Sequence, residues 1–130
     1  MTIVQQQYFE KWHDVFVAYV KNIVTIADTF KVMSNISDRD KQHIDCFKAI
    51  LHSQDVRDIE NDLAEGIVKR STLDKIEKLN KDMIDYAIKY MSGNQFHLMF
   101  LKKISYCQIE YNKQAGISQL VALHIPILDC

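Results

Sequence analysis

Apolar residues fall at Phe9, Trp12, Phe16, Tyr19, Ile23, Ile26, Phe30 and Met33, an alternation of threes and fours held for more than three heptads. A hydrophobic period of 3.5 residues keeps one seam of an α-helix turned toward its neighbours and favours parallel or antiparallel packing over steep crossings. Val15, Val20, Val24 and Ala27 widen the stripe, so more than one partner helix is expected against it. The helix predicted from Ile3 to Met33 is roughly 45 Å long. A compact chain of 130 residues has a diameter of only about 36 Å. Burying eight such side chains stabilises by on the order of 12–24 kcal/mol before entropy is counted. The expectation is an elongated bundle or an oligomer whose first helix has more apolar edge than one subunit covers.

Four further elements follow. Ser34 and Asn35 end the first helix, and Ser37, three residues before Asp40, opens a second from Asp38 to about His52 with Ile44, Phe47 and Leu51 inward. Ser53 opens a third, with Val56, Ile59, Leu63 and Ile67 inward and Gly66 as a weak point near its end. Leu73, Ile76, Leu79, Met83, Tyr86 and Tyr90 mark a fourth from Ser71-Thr72 to Gly93, which is either separate from the third or its broken continuation. Asn94 caps a fifth, striped by Phe96, Phe100, Ile104, Cys107 and Tyr111 and ended by Gly116. The remaining tail, 117–130, packs Leu120, Val121, Leu123, Ile125, Ile127 and Leu128 around Pro126, with Asp129 its one formal charge. Such a segment needs a partner: either it forms a short helix from Ser118 to His124 and folds back on its own bundle, or it docks on another protein. The fold class is therefore all-α, one domain over 1–130, an elongated bundle of four to five helices with a long N-terminal helix and an apolar C-terminal tail.

One proline and three glycines leave few breaks, which agrees with long helices. Sixteen basic residues against seventeen acidic ones give a net charge of −1 without blocks of one sign, so neither nucleic acid nor an anionic membrane surface is suggested by the overall balance. No basic segment precedes an apolar run at the N-terminus, and no stretch of about 18 apolar residues exists to span a bilayer. Cys46, Cys107 and Cys130 are odd in number and widely spaced, which reads as reduced thiols in a cytoplasmic protein.

Candidate chemistry is sparse. His13, His43, His52, His97 and His124 include no pair four apart, so neither a metal nor another cofactor is expected. His43 and Cys46 lie one helical turn apart, a spacing that lets an imidazole activate a thiol, but no third group orients the base. His52 at a helix end is followed by Ser53-Gln54 rather than the lysine and glycine of a phosphotransfer domain. Asp55, Asp58, Glu60, Asp62 and Glu65 give the third helix an acidic surface, and Lys69, Arg70, Lys75, Lys78 and Lys81 give the fourth a basic strip interleaved with Asp74, Glu77 and Asp82. Glycine-rich phosphate loops and nucleophile elbows are absent from the sequence, and no enzyme is expected.

The run Phe47-Lys48-Ala49-Ile50-Leu51-His52-Ser53-Gln54-Asp55-Val56-Arg57-Asp58-Ile59, with the helix continuing through Tyr86, resembles the middle of phasins, the helical proteins that coat polyhydroxyalkanoate granules. The resemblance covers about 40 residues. It departs from the family pattern at Val56, where many members have proline, in its low alanine content and in the apolar tail. It implies an amphipathic coat protein without an active site, touching the granule through the wide apolar face of the first helix. From the residues themselves, the leading expectation is a non-enzymatic interaction protein, an adaptor, chaperone or inhibitor that binds another protein or a second copy of itself. Its expected contact residues are Trp12, Phe16 and Tyr19 on the first helix and Leu120, Leu123, Ile125 and Ile127 in the tail.

Overall fold

The computed structural model describes residues 2–33, 36–91, 96–115, 120 and 122–128. It is an all-α bundle of five helices, α1 (Ile3–Lys31), α2 (Asp38–Leu51), α3 (Gln54–Ala64), α4 (Arg70–Met91) and α5 (His97–Gln114). The turn at Ser34-Asn35, the caps at Gly93 and Asn94, the stop at Gly116, the helix start at Ser118, and Val121 and Cys130 lie outside the described residues. Among the described residues, no helix is long and apolar enough to cross a membrane.

The unbroken rod predicted at the N-terminus is present. Thr2 and Gln5 start it with a reciprocal capping box, and the seam Phe9, Trp12, Phe16, Tyr19, Ile23 and Phe30 is buried. α2 and α3 lie one after the other along it, running the opposite way. Lys31 and Asp28 of α1 pair with Asp45 and Lys48 of α2, and farther back Val20 and Val24 border a groove shared with Leu51 and Val56. α4 and α5 complete an up-down-up-down arrangement of four rods in which α2 and α3 together fill the second position. α1 packs on α2, α3 and α5, and α4 on the same three, so α5 stands diagonal to α3.

Gly66 ends α3 instead of weakening it. With φ at 71° it is the left-handed residue of a Schellman closure in which the N–H of Gly66 donates to Leu63 and that of Ile67 to Asp62. The third helix therefore stops at Ala64, and α3 and α4 are separate helices. Thr72 then stitches them together: its buried hydroxyl donates to Asp62 at 2.7 Å and accepts the Lys69 backbone N–H at 3.2 Å. Thr72→Val keeps the volume and leaves both partners without this contact. It is expected to cost about 1–3 kcal/mol in urea unfolding, and a neutral result would mean that water replaces the hydroxyl freely.

The inner face of α4 is rotated relative to the expected stripe. Thr72, Ile76, Leu79, Met83, Ala87 and Met91 are buried, whereas Leu73 and Tyr86 are half-buried and Tyr90 is exposed. Two phenols in the seam would need polar partners inside, and the small Ala87 lets the helix approach closely instead.

The tail docks on its own subunit. Leu120 and Ile125 are 0% and 8% exposed and belong to the core, with Leu123 and Ile127 packed against it. Gln5 donates to the Leu123 carbonyl at 2.8 Å. The left-handed His124 (φ 55°) lets the Ile125 N–H close back on Leu120. Leu128 then lies as a single parallel bridge beside Lys69, donating to the Val68 carbonyl and accepting from the Arg70 N–H, both at 2.8 Å. That last bond satisfies a donor at the first residue of α4.

Candidate functional site

Of the residues expected to meet a partner, Trp12, Phe16 and Tyr19 are 1%, 0% and 4% exposed. They are interior groups, which corrects the expectation that they form a contact surface. The tail quartet is corrected likewise, since Leu120 and Ile125 are buried and Leu123 and Ile127 are half-buried against the core of the same chain.

The α1 aromatics build a buried polar cluster with α4 and α5. Trp12 Nε1 donates to Tyr111 Oη at 2.8 Å, the Tyr19 and Tyr111 rings stack at 4.7 Å, and Tyr19 donates to Asn80 Oδ1 at 2.6 Å. Gln108 donates to the Asn80 carbonyl at 3.1 Å. Burial pushes the Tyr111 hydroxyl from 10.0 up to about 12, against the Trp12 hydrogen bond, and burial raises Tyr19 as well. These phenols are neutral structural groups at pH 7. Between pH 10 and 12 the unfolded chain releases a Tyr111 proton that the folded chain keeps, so the unfolded state binds fewer protons and stability falls as pH rises. The loss expected from Tyr111 by pH 12 is about 2–3 kcal/mol. Urea unfolding at stepped pH checks it, with Tyr111→Phe declining less steeply than the wild type.

A second cluster joins α2 to α4. His43 Nδ1 lies 3.4 Å from Tyr86 Oη, His43 stacks on Tyr90 at 5.6 Å, and Tyr86 and Tyr90 are 4.6 Å apart. Tyr86 is raised to about 12 by burial and then by its hydrogen bond with the Cys46 thiol. His43 and Cys46 are thus gathered around one phenol. This is a packing arrangement in which His43 holds Tyr86 and Tyr90, with no oriented acid behind the imidazole among the described residues. Cys107 is half-buried, and its thiol is raised by burial against the opposing charge of Lys103.

The other histidines stay apart. His13 sits beside Asp14 in a surface groove between α1 and the end of α3, and exposed His52 ends α2. His97 borders a small apolar cavity with Phe30, Ile44 and Phe100, and His124 is in the tail turn. No group of three or more His, Cys, Asp or Glu that could hold a metal occurs among the described residues. On α3, the half-buried Asp58 carboxyl is held below its usual range by hydrogen bonds from Gln54 and then Lys75, as expected of a salt-bridged helix surface.

The feature that sequence reasoning missed is on α5. At about 100° per residue, Phe100, Ile104 and Tyr111 face the core, while Leu98, Ile109, Lys102, Lys113, Tyr106 and Met99 share the opposite arc, about 100° wide. Leu98 is 79% exposed, Tyr106 64%, Ile109 53% and Met99 50%. The charges in the arc are both lysines, and Lys113 is tied to Glu110 at its edge by a 3.2 Å pair. The helix diagonal to it carries Asp55, Asp58, Glu60 and Asp62. The near-neutral total therefore hides a cationic, apolar α5 and an acidic α3 on opposite corners of the bundle. A wheel count of α5 that follows every apolar residue, and not only the strongest stripe, exposes this second face. No family model, curated protein or solved structure matches the chain.

Proposed function

We propose that this chain is a non-enzymatic protein-interaction module that docks through the outer arc of α5. The observation that carries this reading is the second apolar stripe, Leu98, Met99, Tyr106 and Ile109, on a helix whose first stripe is already spent on the core. Scattered exposed apolar residues are ordinary, but four large ones aligned on the outside of one helix mark an interaction surface. Tyr106 lies near the middle of the arc's length and, as an amphipathic ring with two rotatable angles, makes an efficient contact anchor. The free thiols Cys46 and Cys107 support placing this module in the reducing cytoplasm.

Site-specific photo-crosslinking in living cells tests the reading. A photoreactive residue at Tyr106 is expected to give a discrete protein adduct, and the same residue at the exposed Arg57 on α3 none. Equal or absent adducts at the two positions would remove α5 as the docking face.

A further inference from the structure

We propose that the corner where α2 gives way to α3 is a binding site for a single aliphatic chain ending in a carboxylate, a medium-chain fatty acid anion. The site rests on no property of α5. Because α2 and α3 follow one another along α1 as two helices and not one, the rod they form has a notch at His52-Ser53. The notch opens onto the flank of α1 as a groove of about 470 Å³, a volume in the range of small-molecule sites.

The floor of the groove is aliphatic. Val17, Val20 and Val24 stand at i, i+3 and i+7 on α1, and Leu51 and Val56 line it from either side of the corner. Val17 and Val24 are only half-buried, because their short branched side chains do not fill the notch. No phenylalanine, tyrosine or tryptophan is in the described lining, and Thr25 already donates its hydroxyl to the Lys21 carbonyl at 2.9 Å. A peptide laid here would leave backbone N–H and C=O groups against valine side chains without partners, whereas an alkyl chain has none to satisfy. From Val17 to Val24 the helix rises about 10 Å, the length of an extended chain of roughly eight to ten carbons at about 1.5 Å per bond.

At the rim the chemistry changes. Lys21 and Arg57 border the groove from α1 and α3, both are exposed, and neither forms an ion pair among the described residues. Glu60 is the one carboxylate in the lining, so the two cations outnumber it. Arg57 offers a carboxylate two parallel N–H donors, and Lys21 adds a second positive charge. The positive N-terminal end of α3 lies at the same corner. An aliphatic trough with a cationic mouth admits an alkyl carboxylate and discriminates against an alkyl ammonium of equal length.

Backbone amide NMR of the full chain, titrated with sodium decanoate below the concentration at which it forms micelles, tests the site. Saturable shifts are expected at Val17, Val20, Val24 and around the His52-Ser53 corner. Hexanoate, four methylenes shorter, is expected to bind at least about tenfold more weakly. Decyltrimethylammonium, with the same chain length and the opposite charge, is expected to do the same. The variant Lys21→Glu/Arg57→Glu is expected to invert that preference and take the ammonium about tenfold more tightly than decanoate. Both positions are exposed, so the variant should stay folded, which its amide spectrum checks, and the ligand series on the wild type stands without it. An absence of saturable shifts overturns the site, as do shifts gathered on Leu98, Tyr106 and Ile109 of α5 in place of the groove. Equal binding of decanoate and decyltrimethylammonium by the wild type, or a preference that the folded variant leaves unchanged, overturns the carboxylate assignment.

Discussion

Replacing Trp12 by alanine is expected to lower the free energy of unfolding by about 3–5 kcal/mol. In a chain of this size that corresponds to a fall of roughly 15 °C in the melting temperature. The indole is 1% exposed, packs beside Tyr8 and Phe9 at ring distances of 5.7 and 6.3 Å, and donates to Tyr111. Truncation thus opens a large cavity and takes away the indole donor of the buried Tyr111 hydroxyl. Trp12→Phe separates the two contributions: it keeps most of the ring volume and removes the donor, and should cost only about 1–2 kcal/mol. Thermal and urea unfolding of both variants checks the pair. A contact residue held at the surface for a partner would behave in the opposite way, with Trp12→Ala near neutral in the isolated protein. That outcome would restore the surface role first expected of this residue.

The second large effect belongs to the tail. Leu120→Ala is expected to destabilise by about 2–5 kcal/mol, as for other fully buried leucines. Leu128→Ala, at a position 47% exposed and held through its backbone, should change stability by under about 1 kcal/mol. The contrast matters because the tail closes the end of the bundle where the N-terminus of α1 meets the α3–α4 connection. Gln5 fixes it on one side, and Val68 and Arg70 fix it on the other. If both substitutions were silent, the tail would be a free arm and not part of the core.

How much of this was legible in the sequence depended on which physical signal each element carried. The long seam of α1, the Ser37 cap and the inward faces of α2 and α3 were all readable, because apolar spacing and local capping chemistry act within a few residues. The error lay in what the seam implied. A rod longer than a sphere of equal mass predicts an overhang beyond its own subunit, but α2 and α3 in series, 14 and 11 residues, form a partner nearly as long as the 29 residues of α1. With α5 and the tail beside them, they enclose Trp12, Phe16 and Tyr19 completely. Burial is decided by contacts between residues far apart in the chain, such as Trp12 with Tyr111 or Gln5 with Leu123, and periodicity within one helix is silent on those. The same limit explains α4, where the phenols of Tyr86 and Tyr90 fit the spacing of the seam yet turn toward His43 and Cys46.

The exposed apolar arc of α5 was recoverable from the sequence. Leu98, Met99, Tyr106 and Ile109 stand in the sequence at helical spacing, opposite Phe100, Ile104 and Tyr111. A helix that is apolar on both sides must either lie inside a larger body or meet a partner. Since a bundle of four rods leaves every rod a solvent side, the second stripe of α5 has no cover among the described residues. The net charge misled in a similar way, because a sum over the chain erases the separation of acidic α3 from lysine-bearing α5.

The central claim is that the chain hides the aromatic seam of α1 and offers the outer arc of α5 in its place. Hydroxyl-radical footprinting of the folded protein, read residue by residue, tests both halves together. Leu98, Met99 and Tyr106 should oxidise rapidly while Trp12, Phe16 and Tyr19 stay protected. Oxidation of Trp12 at the rate of Tyr106 in the folded, dilute protein would contradict the account.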